Sequence, residues 1–353
     1  YTTDMYTASV ALPAVYGTGS PKGNNAEMKT DGWELSLSWR DSFKLGGKPF
    51  DYSIKAMVWD SKSVITKYVN DTGSLGTVKG FIENGGSPSS YYVGMTVGEI
   101  WGYTVAGLFR DQADIDSSAI HDFVQASDKV TRPGQVKIAD LDGNGFIDPG
   151  NFAVDDHGDL RIIGNQSPRY RYGVNLSARW NGIGLSVFLQ GVGARDWYPG
   201  SDAGMFWGKY GRPFFALIPS IHNYTDDMYS AERNNWDTAY WPRMTTYQSN
   251  GTKNWTRLLE IPNTRYIQSA AYLRVKNIQL DYSFPKHICS AIRLQGLKIY
   301  VNAENLFTFT PLHKYAPNFD PEGLSYDSDF ASAADGYTYP ILKSVTVGVN
   351  ITF

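Results

Sequence analysis

The most constraining feature of this chain is its last stretch, ILKSVTVGVNITF, which covers residues 341–353. β-Branched or aromatic side chains occupy alternate positions from Val345 to Phe353, and small polar side chains occupy the positions between them. Period-two alternation gives one apolar and one polar face only in a β-strand. Such a strand is typical of an outer-membrane barrel, with about 10 residues, apolar outside and polar inside. A half-buried strand of a soluble sandwich explains this single segment equally well.

Earlier segments repeat the pattern and favour the barrel. Trp33 and Trp39 bracket an alternating segment of about 20 Å, close to an apolar band about 25 Å tall that is edged by aromatic residues. In the next predicted strand, 49–59, Lys55 falls on the polar face, where a charge costs little. A hairpin over 171–192 turns at Asn181-Gly182, a strong tight-turn signal. Further strands are predicted over 272–284 and 297–307, and residues 60–90 are predicted to form a loop with one helical turn.

Composition narrows the function classes. The net charge is -3, so no basic field points to nucleic acid. The sequence holds no run of 18 apolar residues, so no membrane-spanning helix is predicted. The single cysteine, Cys289, permits no intramolecular disulfide. Abundant aromatics, 24 Tyr, 17 Phe and 10 Trp, together with 35 Gly, are typical of barrels and sandwiches.

One segment, ADLDGNGFIDPGN, resembles the calcium loop of an EF-hand. Hard oxygen ligands at alternate positions would come from Asp140, Asp142, Asn144, the Phe146 carbonyl and Asp148. The twelfth position is Asn151 and not the bidentate Glu, so weak affinity is expected unless Asp155, Asp156 or a water substitutes. The alternative is an Asp/Asn/Gly turn that binds no ion.

The stretch 193–265 is long, weakly patterned and aromatic, and such stretches in compact domains are usually functional. Exposed aromatics beside polar residues can stack on sugar rings or grip peptides. The candidate substrate-binding residues are Trp197, Tyr198, Trp207, Tyr210 and Trp241. The alternative for each of them is that it packs the loops onto one another.

Several segments carry a family resemblance. These are NNAEMKTDGWELSLSW, VGEIWGYTVAGLF, GQVKIADLDGNGFID, IIGNQSPRYRYGVNLSARWNGIGLSVFLQGVGARD, AAYLRVKNIQLDYSFP, IYVNAENLFTFT, DPEG and the terminal Phe353. With them the chain resembles, over nearly its whole length, the C-terminal part of the SusC/RagA-type TonB-dependent outer-membrane transporters of the Bacteroidetes. The loop at 193–265 is the least family-like part.

The resemblance implies an all-β fold: the C-terminal portion of a large, about 22-stranded, antiparallel transmembrane β-barrel with long extracellular loops. Residues 1–353 would form one part of that barrel, with the plug and the N-terminal strands outside this chain. An open sheet edge in lipid leaves backbone groups unpaired, so the N-terminal half of the same barrel must complete it. The expected location is the outer membrane of a Gram-negative bacterium, with multiple strands crossing the bilayer.

The resemblance also implies a function: import of oligosaccharides, driven by TonB through segments absent from this chain and assisted by a SusD-like lipoprotein. Oligopeptide import by the same fold is the alternative, and a secreted calcium-stabilised carbohydrate-binding protein is a further one. An all-β glycoside hydrolase is disfavoured, because the carboxylate pairs lie in turn-like runs or polar loops and no nucleophile or phosphate-cradle motif is found. A non-enzyme that binds no nucleic acid is therefore expected.

Overall fold

The computed structural model describes residues 1–9, 22–70, 73–76, 91–121, 131–199, 203–207, 227–243, 261–324 and 341–353. In chain order the strands are β1 (Thr2–Ser9), β2 (Lys22–Leu45), β3 (Lys48–Lys67), β4 (Glu99–Tyr103), β5 (Val105–Leu108), β6 (Val136–Ile138), β7 (Leu160–Asn165), β8 (Arg169–Trp180), β9 (Ile183–Ala194), β10 (Asp196–Trp197), β11 (Gln268–Ser269), β12 (Tyr272–Ser283), β13 (Gly296–Phe309) and β14 (Ser344–Thr352). The helices are α1 (Gln112–Asp116), α2 (Gly204–Trp207) and α3 (Lys286–Ala291), with a 3₁₀ turn at Pro311–Lys314. Within these described residues, no helix is long and apolar enough to cross a membrane.

The main element is an eight-stranded antiparallel sheet in the order β1-β2-β3-β8-β9-β12-β13-β14. Its tight turns, Gly46-Gly47 and Asn181-Gly182, have positive φ at both central residues, as a two-residue hairpin turn requires. These turns and the end of β14 lie at one end of the sheet, called here the short-turn end. The irregular connections lie at the opposite end, called the long-loop end.

The two faces of the sheet differ in polarity. The outer face carries large apolar side chains that are exposed, with Leu37 at 62% and Val347 at 72% of full accessibility. Others on this face are Trp33, Leu35, Trp39, Ile54, Leu280, Ile299, Val301, Val345, Val349 and Ile351. The inner face alternates with them in register and carries mostly Ser, Asn, Gln and Thr. An apolar surface of this extent is typical of contact with lipid or a partner and not with water.

The two strands of the β2–β3 hairpin are longer than predicted. β2 has 24 residues and β3 has 20, so β2 alone extends roughly 75 Å. The prediction of a loop beginning at residue 60 is therefore wrong for 60–67, which continue β3, and β2 begins at Lys22, well before the segment bracketed by Trp33 and Trp39. Beyond the apolar band the polar run 60–63 interrupts the alternation, so the period-two signal disappears while the backbone ladder continues.

The buried core of the described residues lies at the long-loop end and not against the sheet. Tyr103, Leu160, Trp241 and Tyr266 belong to one cluster of buried side chains contributed by the small sheets β4–β7 and β5–β6 and by the loops. Backbone contacts join these pieces: the Tyr103 N–H donates to the Pro262 carbonyl over 2.9 Å. The molecule thus has an uncovered sheet and a packed head of loops above it.

One aromatic–glycine pair ties the sheet together below the head. Tyr172 on β8 lies directly opposite Gly191 on β9. The Tyr172 ring covers Gly191, and its hydroxyl donates to the Tyr272 carbonyl over 3.0 Å. A side chain at position 191 would occupy the space of both groups, which accounts for glycine at this position.

Candidate functional site

The predicted calcium loop curls around its first carboxylate. The two Asp140 oxygens accept hydrogen bonds from the Gly143 and Gly145 N–H groups, at 2.6 and 2.9 Å, and both glycines have positive φ. The hydrogen bond from the Gly145 N–H is the largest of the causes that hold the pKa of Asp140 below its ordinary value. Burial acts in the opposite direction. Asp142 accepts the Asn144 N–H over 3.0 Å. The Asp side chains of the loop therefore accept hydrogen bonds from its own backbone, and these bonds hold the loop in a curled conformation.

Asp159 completes the cluster, and the sequence pattern missed it. One carboxylate oxygen from each of Asp140, Asp142 and Asp159 lies within 4.8 Å of the others. Asp159 is fully buried and accepts the Leu141 and Asp148 N–H groups at 2.6 and 3.0 Å. Burial is the main cause that raises the pKa of Asp159 above its ordinary value; the hydrogen bonds from the Leu141 and Asp148 N–H groups oppose it, and the charges of Asp142 and Asp140 add a smaller rise.

The other predicted ligands lie at the border of this cluster. The Asn144 amide donates to Asp142 and to Asp148, at 3.2 and 2.9 Å, and its oxygen accepts the Phe146 N–H. The other Asp148 oxygen accepts a hydrogen bond from the Gly150 N–H. Asn151, at the twelfth position, donates its amide to Asp156 and does not join the three carboxylates.

The loop is attached to the head through its eighth position. The Ile120 N–H donates to the Gly145 carbonyl over 2.9 Å, and the Ile147 N–H donates to the Ile120 carbonyl over 2.8 Å. Phe146, between them, is exposed and takes part in an isolated parallel bridge with Ile120. The Ile147 side chain is buried in the core cluster, which fixes the position of the loop. Three converging, mutually repelling carboxylates with neighbouring amide and carbonyl oxygens fit a hard divalent cation such as Ca²⁺.

The predicted aromatic ligand-binding residues lie elsewhere and are buried. Trp197, Tyr198, Trp207 and Trp241 all belong to the core cluster, and Trp241 is 0% exposed. The Trp241 ring stacks on Tyr266 with 5.7 Å between ring centroids and meets Trp207 edge-on at 6.1 Å. This arrangement is the packing alternative stated above for these four side chains. Tyr210 lies outside the described residues.

An ion cluster around the buried Arg274, which sequence reasoning missed, fixes the loop after the 3₁₀ turn. The Arg274 guanidinium, from β12, donates to both Asp320 oxygens over 2.7 Å and to Glu322, which also accepts Lys276 at 3.1 Å. Arg195 donates to the Pro321 carbonyl over 2.8 Å. Arg274 from β12 and Arg195, which lies between β9 and β10, thus hold the segment 320–324, which contains the DPEG sequence.

The inner face of the sheet offers a polar surface below the head. A groove of about 440 Å³ is lined by Asn277, Gln279, Lys298, Tyr300, Asn302, Thr346 and Asn350. The Asn277 amide donates to the Asn302 carboxamide oxygen over 2.9 Å. Carboxamide and hydroxyl groups of this kind can donate hydrogen bonds to any polar neighbour and accept hydrogen bonds from it. Among the residues that line this groove, no nucleophile is paired with a base.

Known proteins were compared with this chain by sequence and by structure. No protein-family model matches it. Two curated relatives from Formosa agariphila, TonB-dependent receptor P3 and TonB-dependent receptor P26, are 24% and 22% identical and cover 97% and 98% of this chain. The match takes up 30% and 31% of those relatives, so this chain spans about a third of their length.

Solved structures agree with the sheet. The structure of the RagAB peptide transporter has a TM-score of 0.59 and 16% identity, covering 99% of this chain and 32% of that one. A RagAB peptide importer in its open-open state has a TM-score of 0.58 and 18% identity. The predicted all-β fold of a large antiparallel barrel is thereby confirmed, with this chain contributing one part of the wall. The relatives are named receptors and the solved structures are named transporters. These names support, at a coarse level, a protein that is not an enzyme. Sequence relatives and solved structures together confirm that this chain resembles the barrel portion of the SusC/RagA-type TonB-dependent outer-membrane transporters.

Proposed function

We propose that the full-length protein containing this chain imports an oligosaccharide across the outer membrane of a Gram-negative bacterium. TonB would drive it, and a SusD-like surface lipoprotein would assist it. The observation that carries the proposal is the two-faced sheet. Its outer face exposes Leu37, Val347 and their neighbours, whereas its inner face presents carboxamides and hydroxyls. A sheet of this kind is stable in lipid only as part of a closed barrel, whose inner face then lines a polar lumen.

The orientation follows from the connections. In outer-membrane barrels the short turns face the periplasm and the longer loops face outside. The turn at Asn181-Gly182 would therefore be periplasmic, and the head with its calcium loop would be extracellular. A surface lipoprotein would meet the barrel at the head.

Oligopeptide import is the second candidate. The similar solved structures are those of a peptide transporter, and this likeness favours it. The hydroxyl and carboxamide groups of the inner face suit sugar hydroxyls and peptide backbones alike.

Isolation of the parent protein from native outer membranes in mild detergent tests the function and separates the two candidates. We expect a stoichiometric lipoprotein companion, identified by mass spectrometry, and detergent-dependent solubility of the complex. Ligands released from the complex by denaturation are then identified as sugars or peptides. A parent protein that stays soluble without detergent and without companions would contradict the transporter and favour the secreted carbohydrate-binding protein.

We also propose that Asp140, Asp142 and Asp159 hold a structural Ca²⁺ in the extracellular head, with Asn144, Asp148 and the Phe146 carbonyl as further oxygen donors. The mutual approach of three carboxylates, one fully buried, supports this. A cation would relieve their repulsion, which contributes to the raised pKa of Asp159.

A matched pair of variants of the full-length protein tests the calcium proposal. At a hundredfold excess over its Kd, calcium adds about 2.7 kcal/mol to the stability of the unit that binds it. We expect Asp159→Asn to abolish the calcium-dependent rise in melting temperature. Asp155→Asn, which removes an exposed carboxylate outside the cluster, should leave that rise intact. Equal calcium response in both variants, or no bound calcium by elemental analysis of the wild type, would remove the site.

A further inference from the structure

The connection between β12 and β13, residues 284–295, differs from the other connections at the short-turn end. Two residues join β2 to β3 and two join β8 to β9, whereas this connection contains the helix α3. We call residues 284–295 the helical connection. A helix of six residues is too short to be stable by itself, so packing and hydrogen bonds to the sheet must hold it in place.

The helical connection is attached to the end of the sheet. Cys289 is buried, and its carbonyl accepts the Leu294 N–H over 2.9 Å. The Gln295 N–H donates to the Thr352 carbonyl on β14 over 2.8 Å. The helical connection is therefore a fixed element at the edge of the wall.

The outer face of the sheet ends where the helical connection begins. Tyr282 pairs with Ile299 on this face, and the next outward pair is Phe284 with Leu297, where the Phe284 N–H donates to the Leu297 carbonyl over 2.9 Å. Leu297 in turn pairs with Ile351 on β14. The Tyr282 and Phe284 rings meet edge-on, with 5.0 Å between their centroids. The apolar surface is thus continuous up to the first residue of the helical connection.

Two isoleucines extend this apolar surface beyond the last strand pair. Ile288 is 40% and Ile292 is 53% exposed, and a spacing of four residues places them on one side of a helix. Large apolar side chains that are exposed next to an apolar face are typical of a contact surface. The outer face of a transmembrane barrel contacts lipid, so the two isoleucines lie at the border of the same bilayer.

The charge of the helical connection is positive and unbalanced. Lys286 and Arg293 are exposed, and the sequence from Tyr282 to Lys298 contains no Asp or Glu. Within the part of the chain that the structure describes, neither Lys286 nor Arg293 forms a salt bridge. Lysine and arginine side chains close to an anionic membrane surface are attracted to it. Cations beside exposed isoleucines therefore match a layer of lipid phosphates and the acyl chains next to it.

We propose that the helical connection binds anionic phospholipid in the leaflet that faces the periplasm. Ile288 and Ile292 contact the acyl chains, and Lys286 and Arg293 bind the headgroup phosphates. The inference rests on the proposed function only in that the parent protein spans the outer membrane with its short turns toward the periplasm. Such a contact fixes the depth of this part of the wall in the bilayer.

Native mass spectrometry of the full-length protein in detergent measures the affinity for added palmitoyl-oleoyl-phosphatidylglycerol, with the phosphatidylcholine of the same acyl chains as the neutral comparison. We expect Lys286→Gln combined with Arg293→Gln to weaken phosphatidylglycerol binding by about 30-fold and to remove its advantage over phosphatidylcholine. Lys62→Gln combined with Lys343→Gln removes the same charge from exposed residues at the long-loop end and should bind as the wild type does. An equal loss in both double variants, or a wild type without preference for the anionic lipid, overturns the proposal.

Spin labelling gives a second measurement, which does not depend on charge. A nitroxide is attached at Ile292→Cys in full-length protein that carries Cys289→Ala, and the protein is reconstituted into vesicles that contain phosphatidylglycerol. We expect this label to collide more often with oxygen, which partitions into lipid, than with a water-soluble nickel chelate. A label at Lys48→Cys, beside the tight turn Gly46-Gly47, should show the opposite preference.

Two outcomes of the labelling experiment overturn the inference. A label at position 292 that prefers the nickel chelate lies in water, and a label that is shielded from both reagents lies under another polypeptide. A parent protein that does not insert into the vesicles at all would instead contradict the proposed function.

Discussion

Replacement of Arg274 by Met should release the loop that contains Asp320 and Glu322 from the sheet. The Arg274 side chain is 2% exposed and makes two hydrogen bonds of 2.7 Å to Asp320. It also donates to Glu322 and, over 2.9 Å, to the Thr308 hydroxyl. Methionine fills a similar volume but leaves both carboxylates without this cation.

The expected cost follows from the surroundings of each partner. Removing one member of a buried ion pair costs about 3–5 kcal/mol, because the other charge stays buried and unpaired. Asp320 and Glu322 retain 23% and 28% side-chain exposure, and Lys276 still contacts Glu322 at 3.1 Å. The lower limit, about 3 kcal/mol, is therefore appropriate. It corresponds to about a 100-fold larger population of the detached loop.

Hydrogen–deuterium exchange on the full-length protein measures this population. The Glu322 N–H donates to Asp320 Oδ1 over 2.9 Å, and the Gly323 N–H donates to the Asp320 carbonyl over 3.1 Å. Both amides should exchange about 100-fold faster in Arg274→Met. Lys276→Met removes a weaker, partly exposed contact and should change exchange by less than about fivefold. If the two variants exchange equally, the buried cluster does not hold the loop and the reasoning is refuted.

Three further predictions concern the head and the sheet. Burial lowers the pKa of His121 to about 4, and its neutral ring accepts the Ile138 N–H over 3.0 Å, so up to about 3 kcal/mol of stability should be present above pH 6.5 and lost as pH falls toward 4. His121→Gln keeps an acceptor and should flatten this acid-induced loss in pH-dependent melting. Trp241→Ala should destabilise the head by about 3–5 kcal/mol. If the buried aromatics only pack against one another, Trp241→Phe should leave the ligand affinity unchanged. A change in that affinity, measured by calorimetry, would contradict the packing role. Gly191→Ala should lower the yield of heat-resistant folded barrel, since its Cβ would lie 2.2 Å from the Tyr272 carbonyl oxygen, whereas Gly173→Ala, with no atom closer than 3.5 Å, should assemble normally.

The sheet could be predicted from sequence because two different environments act on its two faces. Alternation over 171–192, the Asn181-Gly182 turn and the closing strand all lie where one face is apolar and the other polar. The continuation of β3 over 60–67 could not be predicted, since the polar run 60–63 interrupts the alternation and the strand is maintained by backbone hydrogen bonds to β2 and to residues 94–97. The same limit applies to the loop aromatics, whose burial depends on contacts between distant segments such as Trp207 with Tyr266.

The candidate calcium site shows where local pattern and tertiary structure each contribute. The spacing of Asp140, Asp142 and Asn144 identifies a loop that can curl around an ion, but the weak twelfth position predicts poor affinity. Asp159, the residue just before β7 and 19 residues after Asp140, supplies the missing carboxylate, because its two backbone partners, Leu141 and Asp148, belong to the loop itself. An ion held by both segments would therefore join the loop to the strand that follows it. Calcium occupancy should accordingly stabilise the whole head and not only the loop, so its removal should increase exchange at the backbone amides of β7 as well as at Gly143 and Gly145.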